Sequence, residues 1–414
     1  MAIARLADAL LEGHQTEARQ LLTDALDEPG FTPADAGYIQ VATVLAKTEM
    51  RMQNDARAVE LADIALPGAQ IAGEEGLVLD LLITSGVSLS NLGRTTEAIV
   101  ILTGALDVAI RTGRNDMANR AAVNLGYVHG TDDPTASFAI SRAAIEQAKR
   151  DGVIWGLRYI LGNAVDSGIE IGEWDWAVEA TADQEALFVE PAERLWIGAF
   201  MTIIRAYRGE DVLADALKLR ADAVPYDDPQ FRVAGLTGLT ASRLVRGDLD
   251  EVIALADEIL RHGIAGADGP VFGVRAATWK GDATVARRFR DAHQIAAPGR
   301  RTDAHRATMD AGIAMLEGRT ADARTLYATA QRIWREIGAT FWLAITGLDI
   351  VTTGAMEADE RRRVADEARE IFTGLRATAL LALLEAALTN APLLSAAAPL
   401  ATADASDPVA PRIR

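Results

Sequence analysis

Apolar residues recur along this chain at helical spacing and hardly anywhere at strand spacing. Ala98, Leu102, Ala105 and Leu106 share one face, and Val252, Leu255, Ala256 and Ile259 mark another at i, i+3, i+4 and i+7. Alternating β-branched runs bounded by turn formers do not occur. Pro29, Pro33, Pro67, Pro134, Pro191, Pro225 and Pro229 read as loop or first-turn residues, outside helix interiors. The pattern predicts an all-α protein.

The helical pattern repeats. Turn-like glycines fall at Gly13, Gly93, Gly130, Gly172, Gly209, Gly247, Gly281, Gly318 and Gly354, with Asn54 filling the one gap, at a mean step of about 38 residues. An alanine follows five residues later at Ala18, Ala98, Ala177, Ala214, Ala286 and Ala323, and Val252 takes that place after Gly247. Glycine closes one helix because it reaches positive φ without steric cost. The small residue one turn into the next helix lets two antiparallel helices approach. Each unit then reads as a helical hairpin that buries its apolar stripe only by stacking on its neighbours.

This repetition answers a problem posed by length. The chain has 414 residues, whereas a single compact core stops growing near ~250–300. A stack of hairpins grows without that limit. Residues 1–389 read as the repeat array, ending in a capping helix from Arg376 to Leu388, and the Ala- and Pro-rich residues 390–414 as a disordered tail. The first hairpin looks short, which favours a fragment or a missing N-terminal neighbour.

The best unit matches a known family. Gly86, Leu89, Gly93, Ala98, Ala105 and Leu106 carry the small, large and turn positions of the tetratricopeptide repeat in the right relative spacing, and Ala25, Ala221 and Ala330 fill the second small position elsewhere. The period is longer than the family's 34, and Leu125-Gly126-Tyr127 and Leu161-Gly162-Asn163-Ala164 are displaced by about three residues from that register. In this the chain resembles the degenerate C-terminal arrays of bacterial signal-transduction ATPase regulators and ATPase–nucleotide-cyclase fusions. Trp334, Ile337-Gly338, Phe341, Leu343-Ala344, Ala368, Ile371-Phe372 and Leu380 to Leu388 are similar to the close of such arrays. The resemblance implies a right-handed α-solenoid of about nine to ten hairpins with a sensory or regulatory binding role. The effector modules of those regulators are missing: the sequence has no Gly-Lys pair, hence no GxxxxGK[ST] phosphate loop.

Composition narrows the chemistry. The absence of cysteine excludes disulfides, thiolate zinc sites, iron–sulfur clusters and cysteine nucleophiles. Five histidines without i, i+3 or i+4 pairing give no metal site, and no cofactor is expected. A net charge of −18 argues against general nucleic-acid binding. The start lacks a secretory signal, and the most apolar stretch, Ile71 to Leu92, is interrupted by Glu74, Glu75 and Asp80, so a cytoplasmic protein without a membrane span is expected. GxSxG, HExxH and GxGxxG are all missing. Gly263, Gly266, Gly269 and Gly273 have no preceding strand and read as a connector. Asp132-Asp133-Pro134 and Asp227-Asp228-Pro229 read as helix caps. Trp174 and Trp176 read as wedges between hairpins, and the basic cluster Arg275, Lys280, Arg287, Arg288, Arg290, Arg300, Arg301 and Arg306 as a solvated face.

Two polar stripes stand out. Tyr159, Asn163, Asp166 and Glu170 lie at i, i+4, i+7 and i+11 on a largely apolar helix from Val153 to Ile171, and Arg120, Asn124 and Tyr127 form a matching stripe on the first helix of the hairpin before. In tetratricopeptide-like arrays the first helices line the concave surface, so both stripes are expected to face a common groove. Trp196 and Tyr207, and then Arg275, Trp279 and His305, continue it. A merely wet inner face gives the same pattern. Function is expected to be non-catalytic binding of a protein or peptide, its segment basic where it meets the acids. The rival is an α/α-toroid enzyme using facing carboxylates on a sugar.

Overall fold

A computed structural model describes residues 14–130, 132–151, 157–183, 191–263, 268–296 and 298–389. The first helices are α1 (Gln15–Leu26), α2 (Ala36–Arg51), α3 (Asp55–Ile71), α4 (Glu75–Asn91), α5 (Thr95–Arg111), α6 (Asn115–Gly130) and α7 (Pro134–Asp151). They are followed by α8 (Leu157–Ile171), α9 (Trp174–Asp183), α10 (Pro191–Tyr207), α11 (Leu213–Ala223), α12 (Pro229–Val245) and α13 (Leu249–Arg261). The remainder comprises α14 (Gly269–Lys280), α15 (Ala283–Ala292), α16 (Arg300–Leu316), α17 (Thr320–Glu336), α18 (Thr340–Thr353), α19 (Ala358–Gly374) and α20 (Thr378–Leu388). No strand occurs among the described residues. Gly13, Gly266, Trp155 and the 390–414 tail lie outside them.

Each helix packs on the next, and from α2 onward the even-numbered helices also pack on one another. The even helices form an inner layer and the odd helices an outer one: an all-α solenoid. Burial follows this division. Inner α18 is buried without a break from Phe341 to Val351, whereas outer α13 buries only Val252, Leu255, Ala256 and Ile259. Close approach inside a hairpin is set by glycine on the inner helix. A Cβ built on Gly86 would stand 2.8 Å from Leu102, and one on Gly273 would stand 2.6 Å from the Phe289 ring.

The turn glycines Gly93, Gly172, Gly209, Gly247, Gly281, Gly318 and Gly354 all adopt positive φ, and Ala18, Ala98, Ala177, Val252, Ala286 and Ala323 are fully buried. The exceptions have physical reasons. Ala214 and Ala221 are exposed, and Ala216 and Ala223 occupy the buried positions. After Gly209 the next helix starts at Leu213, four residues on, whereas after Gly93 it starts at Thr95; the longer turn moves the whole helix by two. Gln53, not Asn54, takes the left-handed turn conformation, at φ 63. Gly130 ends inside α6. Pro67 lies within α3, on its exposed face, where water can serve the carbonyl it leaves unbonded.

The solenoid coils back on itself. Inner α8 packs on α18, and α10 and α12 touch α20. Along this seam threonine hydroxyls at helix starts donate to carbonyls at helix ends in the neighbouring turn: Thr135 to Ile337 O (3.2 Å), Thr340 to Ile171 O (2.6 Å) and Thr378 to Arg208 O (2.6 Å). The Asp-Asp-Pro pairs are caps, as expected, but of two kinds. The second aspartate caps its own helix: Asp133 accepts from Ala136 N (2.9 Å) and Asp228 from Gln230 N (2.8 Å). The first aspartate caps a distant one. Asp132 accepts from Arg300 N (2.6 Å) at the start of α16, and Asp227 from Gln15 N and Thr16 N (both 2.9 Å) at the start of α1. Neither recipient has a cap of its own, for Gly299 lacks a side chain and His14 makes no capping bond.

Candidate functional site

The inner stripes of α6 and α8 come together, and Arg301 of α16 reaches the same place. On α8, Asn163 is spent on structure: its Nδ2 donates to Val123 O on α6 (2.7 Å). Tyr159 is half-buried. Asp166, one turn further on, reaches water and has no hydrogen-bond or ion-pair partner among the described residues. Glu170 is buried. Its Oε1 accepts from Arg301 Nε (2.7 Å), while its Oε2 has no partner. Arg301, near the start of α16, also donates through Nη2 to both oxygens of Asp268 at the start of α14 (3.1 Å each).

The α6 stripe supplies the other wall. Arg120 is directed at structure: it pairs with the Asp80 carboxylate, donates to Asp80 O (3.0 Å) and to Thr84 Oγ1 (2.7 Å), and shares Asp80 with Lys47. Burial alone pushes the Asp80 carboxyl up, but Arg120 and Lys47 overcome this and hold it below its usual value. Asn124 bonds its own helix at Arg120 O (2.7 Å). Tyr127 donates to Asn91 Oδ1 (3.0 Å), Asn91 Nδ2 in turn donates to Asp55 Oδ1 (3.1 Å), and Tyr127 remains 40% exposed. Tyr127 and Asp166 are therefore the two stripe residues open to solvent.

Glu170 and Asp268 share one guanidinium here, and Asp166 acts on it through its charge alone. Enclosure by the protein raises both Asp166 and Glu170 above the ordinary carboxylate range; Arg301 pulls them down, and Asp268 pushes up again. Burial disfavours the charged form of Arg301, yet Asp268, Glu170 and Asp166 hold it firmly protonated.

The later part of the expected groove is core. Tyr207 is buried, its ring stacked on Trp174 at 6.1 Å and tilted against Phe341 at 5.3 Å, because α10 lies where the solenoid closes on α20. Arg275 forms a buried bidentate pair with Asp349 (3.0–3.1 Å), and Trp279 Nε1 donates to the same carboxylate (2.9 Å). His305 sits edge-on between Trp334 and Trp342, with centroids 4.8 and 4.5 Å away. Burial, with Arg301, His293 and Arg275 nearby, keeps its pKa far below the usual value, so it is neutral at pH 7. Trp196 is half-buried over Gly162 and contributes to packing. The expectation that Tyr207, Arg275 and His305 line an accessible surface fails: Phe341 from another turn of the solenoid covers Tyr207, and Asp349, Trp334 and Trp342 of the hairpins that follow cover Arg275 and His305.

The basic cluster is spoken for as well. Lys280, Arg287, Arg288, Arg290 and Arg300 pair with Asp250, Glu317, Asp257, Asp310 and Glu336, and Arg306 donates to Ala296 O. Gly269 and Gly273 belong to α14 rather than to a loop. Trp174 is the wedge expected of it, its Nε1 bonded to Ile169 O (2.9 Å). No group of three or more acids or histidines among the described residues could hold a metal ion, and no helix there is long and apolar enough to cross a membrane. No protein-family model and no curated protein matches this chain. Sequence reasoning missed Asp268 and the site role of Arg301. Nothing in the sequence links them to Glu170, 131 positions from Arg301; only the coiling of the solenoid does.

Proposed function

We propose that this chain is a non-catalytic binding array that takes a protein or peptide partner on its inner face, in a cytoplasmic regulatory role like that of the bacterial signalling arrays it resembles. The observation that carries the reading is that Asp166 and Tyr127 reach water on the inner layer while the neighbouring inner residues are buried, half-buried or paired. The test is capture from extracts of the native host by wild type, by Asp166→Lys and by Val100→Lys on the outer helix α5. Wild type and the outer variant should retain the same partner and Asp166→Lys should lose it; equal retention by all three refutes the reading.

The rival, acid–base chemistry on a sugar, draws on the raised carboxyls. It needs two carboxyls flanking a bond. Asp166 and Glu170 instead lie one turn apart on a single helix, and Glu170 already bonds Arg301.

A further inference from the structure

We propose that two copies of this chain pair through the outer face of α5, each laying that helix antiparallel on the other's across Gly104. The surface belongs to the outer layer, so it stands apart from the inner-face reading above, and neither needs the other.

Gly104 poses the question. Glycine in a helix interior is less stable than alanine unless something requires it. Among the described residues, the other glycines inside helices have such a reason, because a Cβ added to them would meet a neighbour within 4 Å, as Leu102 at Gly86 and Phe289 at Gly273. Gly374 is open as well, but it is the last residue of its helix. Gly104 stands in the middle of α5 without a left-handed φ, and nothing comes within 4 Å of the place its Cβ would take. The folding of one copy gives no reason for it. Close approach of a second helix from outside does, since the distance between helix axes is set by the side chains at the crossing.

The surroundings of Gly104 are apolar. Val100 and Ile110 on α5 are 67% and 63% exposed, Ile71 at the end of α3 is 89% exposed, and Ile64 and Leu92 are exposed beside them. Exposed apolar residues scattered singly need no explanation, whereas a group on neighbouring elements marks an interaction surface. Both α3 and α5 pack on α4 from the outer side. A helix of 17 residues is about 25 Å long and about 10 Å across, so the two present a footprint of roughly 500 Å². That is the small end of specific interfaces and fits a reversible dimer.

Charge selects a second copy as the occupant. The chain carries a net charge of −18, so copies repel one another over most of their surface. The outward charges of α5 and its cap are balanced: Arg94 and Arg111 against Glu97 and Asp107, paired at 2.7 and 3.0 Å. Glu97 and Arg111 lie seven residues before and after Gly104, about two turns each way, and therefore on its side of the helix. A two-fold axis at Gly104 sets Glu97 against the partner copy's Arg111, and Arg111 against the partner copy's Glu97. The same axis lays Val100 over the partner copy's Val108. An isologous interface must be complementary to itself, and this face is.

Analytical ultracentrifugation of the full chain from about 1 to 200 μM tests the pairing. The mass should rise from 44.1 kDa toward twice that value, with a Kd of about 1–100 μM. Val100→Lys should weaken the dimer about tenfold or more while leaving the melting temperature unchanged, because the side chain is exposed in one copy. Gly104→Leu should also weaken it about tenfold or more. Melted at about 0.5 μM, where the copies are apart, that variant should be no less stable than wild type, since its space is open. A glycine kept for folding would not give this split. Glu97→Arg and Arg111→Glu should each weaken the dimer about threefold or more, and the two together should restore it to within about twofold. Should Val100→Lys lower the melting temperature, Gly104→Leu carries the comparison. A monomer at every concentration overturns the proposal and leaves the face to a different protein. A dimer indifferent to Val100→Lys and Gly104→Leu overturns it by placing the interface elsewhere, and a double charge variant as weak as the single ones overturns the antiparallel pairing.

Discussion

Replacing Asp227 with alanine should loosen a helix more than two hundred residues away while sparing the one it introduces. Asp227 accepts the first two amides of α1, Gln15 N and Thr16 N, each at 2.9 Å. His14 offers no capping bond in its place. An N-cap is worth about 0.5–2 kcal/mol. Asp227 is exposed and water can replace part of what it gives, so about 1 kcal/mol is the fitting figure. Amides across Ala18–Leu26 should then exchange about fivefold faster by hydrogen-exchange mass spectrometry. Those of α12 should not change, since Asp228 caps that helix through Gln230 N. Acid should act similarly. Burial raises the Asp227 carboxyl, but the amides of Thr16 and Gln15 outweigh it and lower the folded pKa below its ordinary value of 3.8. The cap therefore stabilises fully above that value and is lost as pH falls through the lower folded one. Unchanged exchange in α1, or equal acceleration in α1 and α12, would refute the idea that the solenoid turns are tied through this aspartate.

Asp349→Ala leaves Arg275 buried without its bidentate partner and should cost about 3–5 kcal/mol in denaturant unfolding. Gly273→Ala places a Cβ 2.6 Å from the Phe289 ring and should cost about 1–3 kcal/mol, whereas Gly104→Ala, with open space around it on α5, should stabilise by about 0.5–1 kcal/mol; thermal melts of the two should move in opposite directions. Ala98→Leu, at a fully buried crossing, should destabilise by about 1–3 kcal/mol, and Ala214→Leu, on the exposed face of its helix, should leave the melting temperature alone. Glu170 has a folded pKa raised by burial, so its ionised form burdens the fold above that pKa and the burden eases as pH falls toward the ordinary value of 4.5. Wild type should accordingly gain stability relative to Glu170→Gln between pH 8 and pH 5; a difference independent of pH would contradict the raised pKa.

The hairpins were legible because their cause is local. Positive φ at Gly93 or Gly318, and a small residue at Ala98 or Ala323, follow from how two adjacent helices meet, and that information lies within about forty residues. Where one turn is longer, as after Gly209, the rule still holds with the helix shifted by two, and only the structure shows the shift. The site was legible in half. Helical spacing put Asp166, Glu170 and Tyr127 on the inner layer, but an inward polar residue looks the same in sequence whether it faces water or another turn. Tyr207, Arg275 and His305 were misplaced for that reason. One signal was available: Asp349 is the one charged residue of α18, and in α14 the cation Arg275 stands mid-helix among apolar residues. A lone charge on such a helix asks for a buried opposite charge.

The inner layer therefore holds two kinds of charge, and the contrast between them bears on function. Asp349 is matched by Arg275 and Trp279, and Asp80 by Arg120 and Lys47. Such sets satisfy their own desolvation, and apolar residues of similar volume can often replace them without loss of stability. Folding alone is a sufficient account of them. Asp166 and the second oxygen of Glu170 have no such account. Asp166 helps to hold Arg301 protonated, yet it also adds the like charge that raises Glu170. Asp166 and Tyr127 remain exposed on an inner layer that is otherwise buried, half-buried or paired. Stability sacrificed at an accessible position is the mark expected of a surface kept for a ligand.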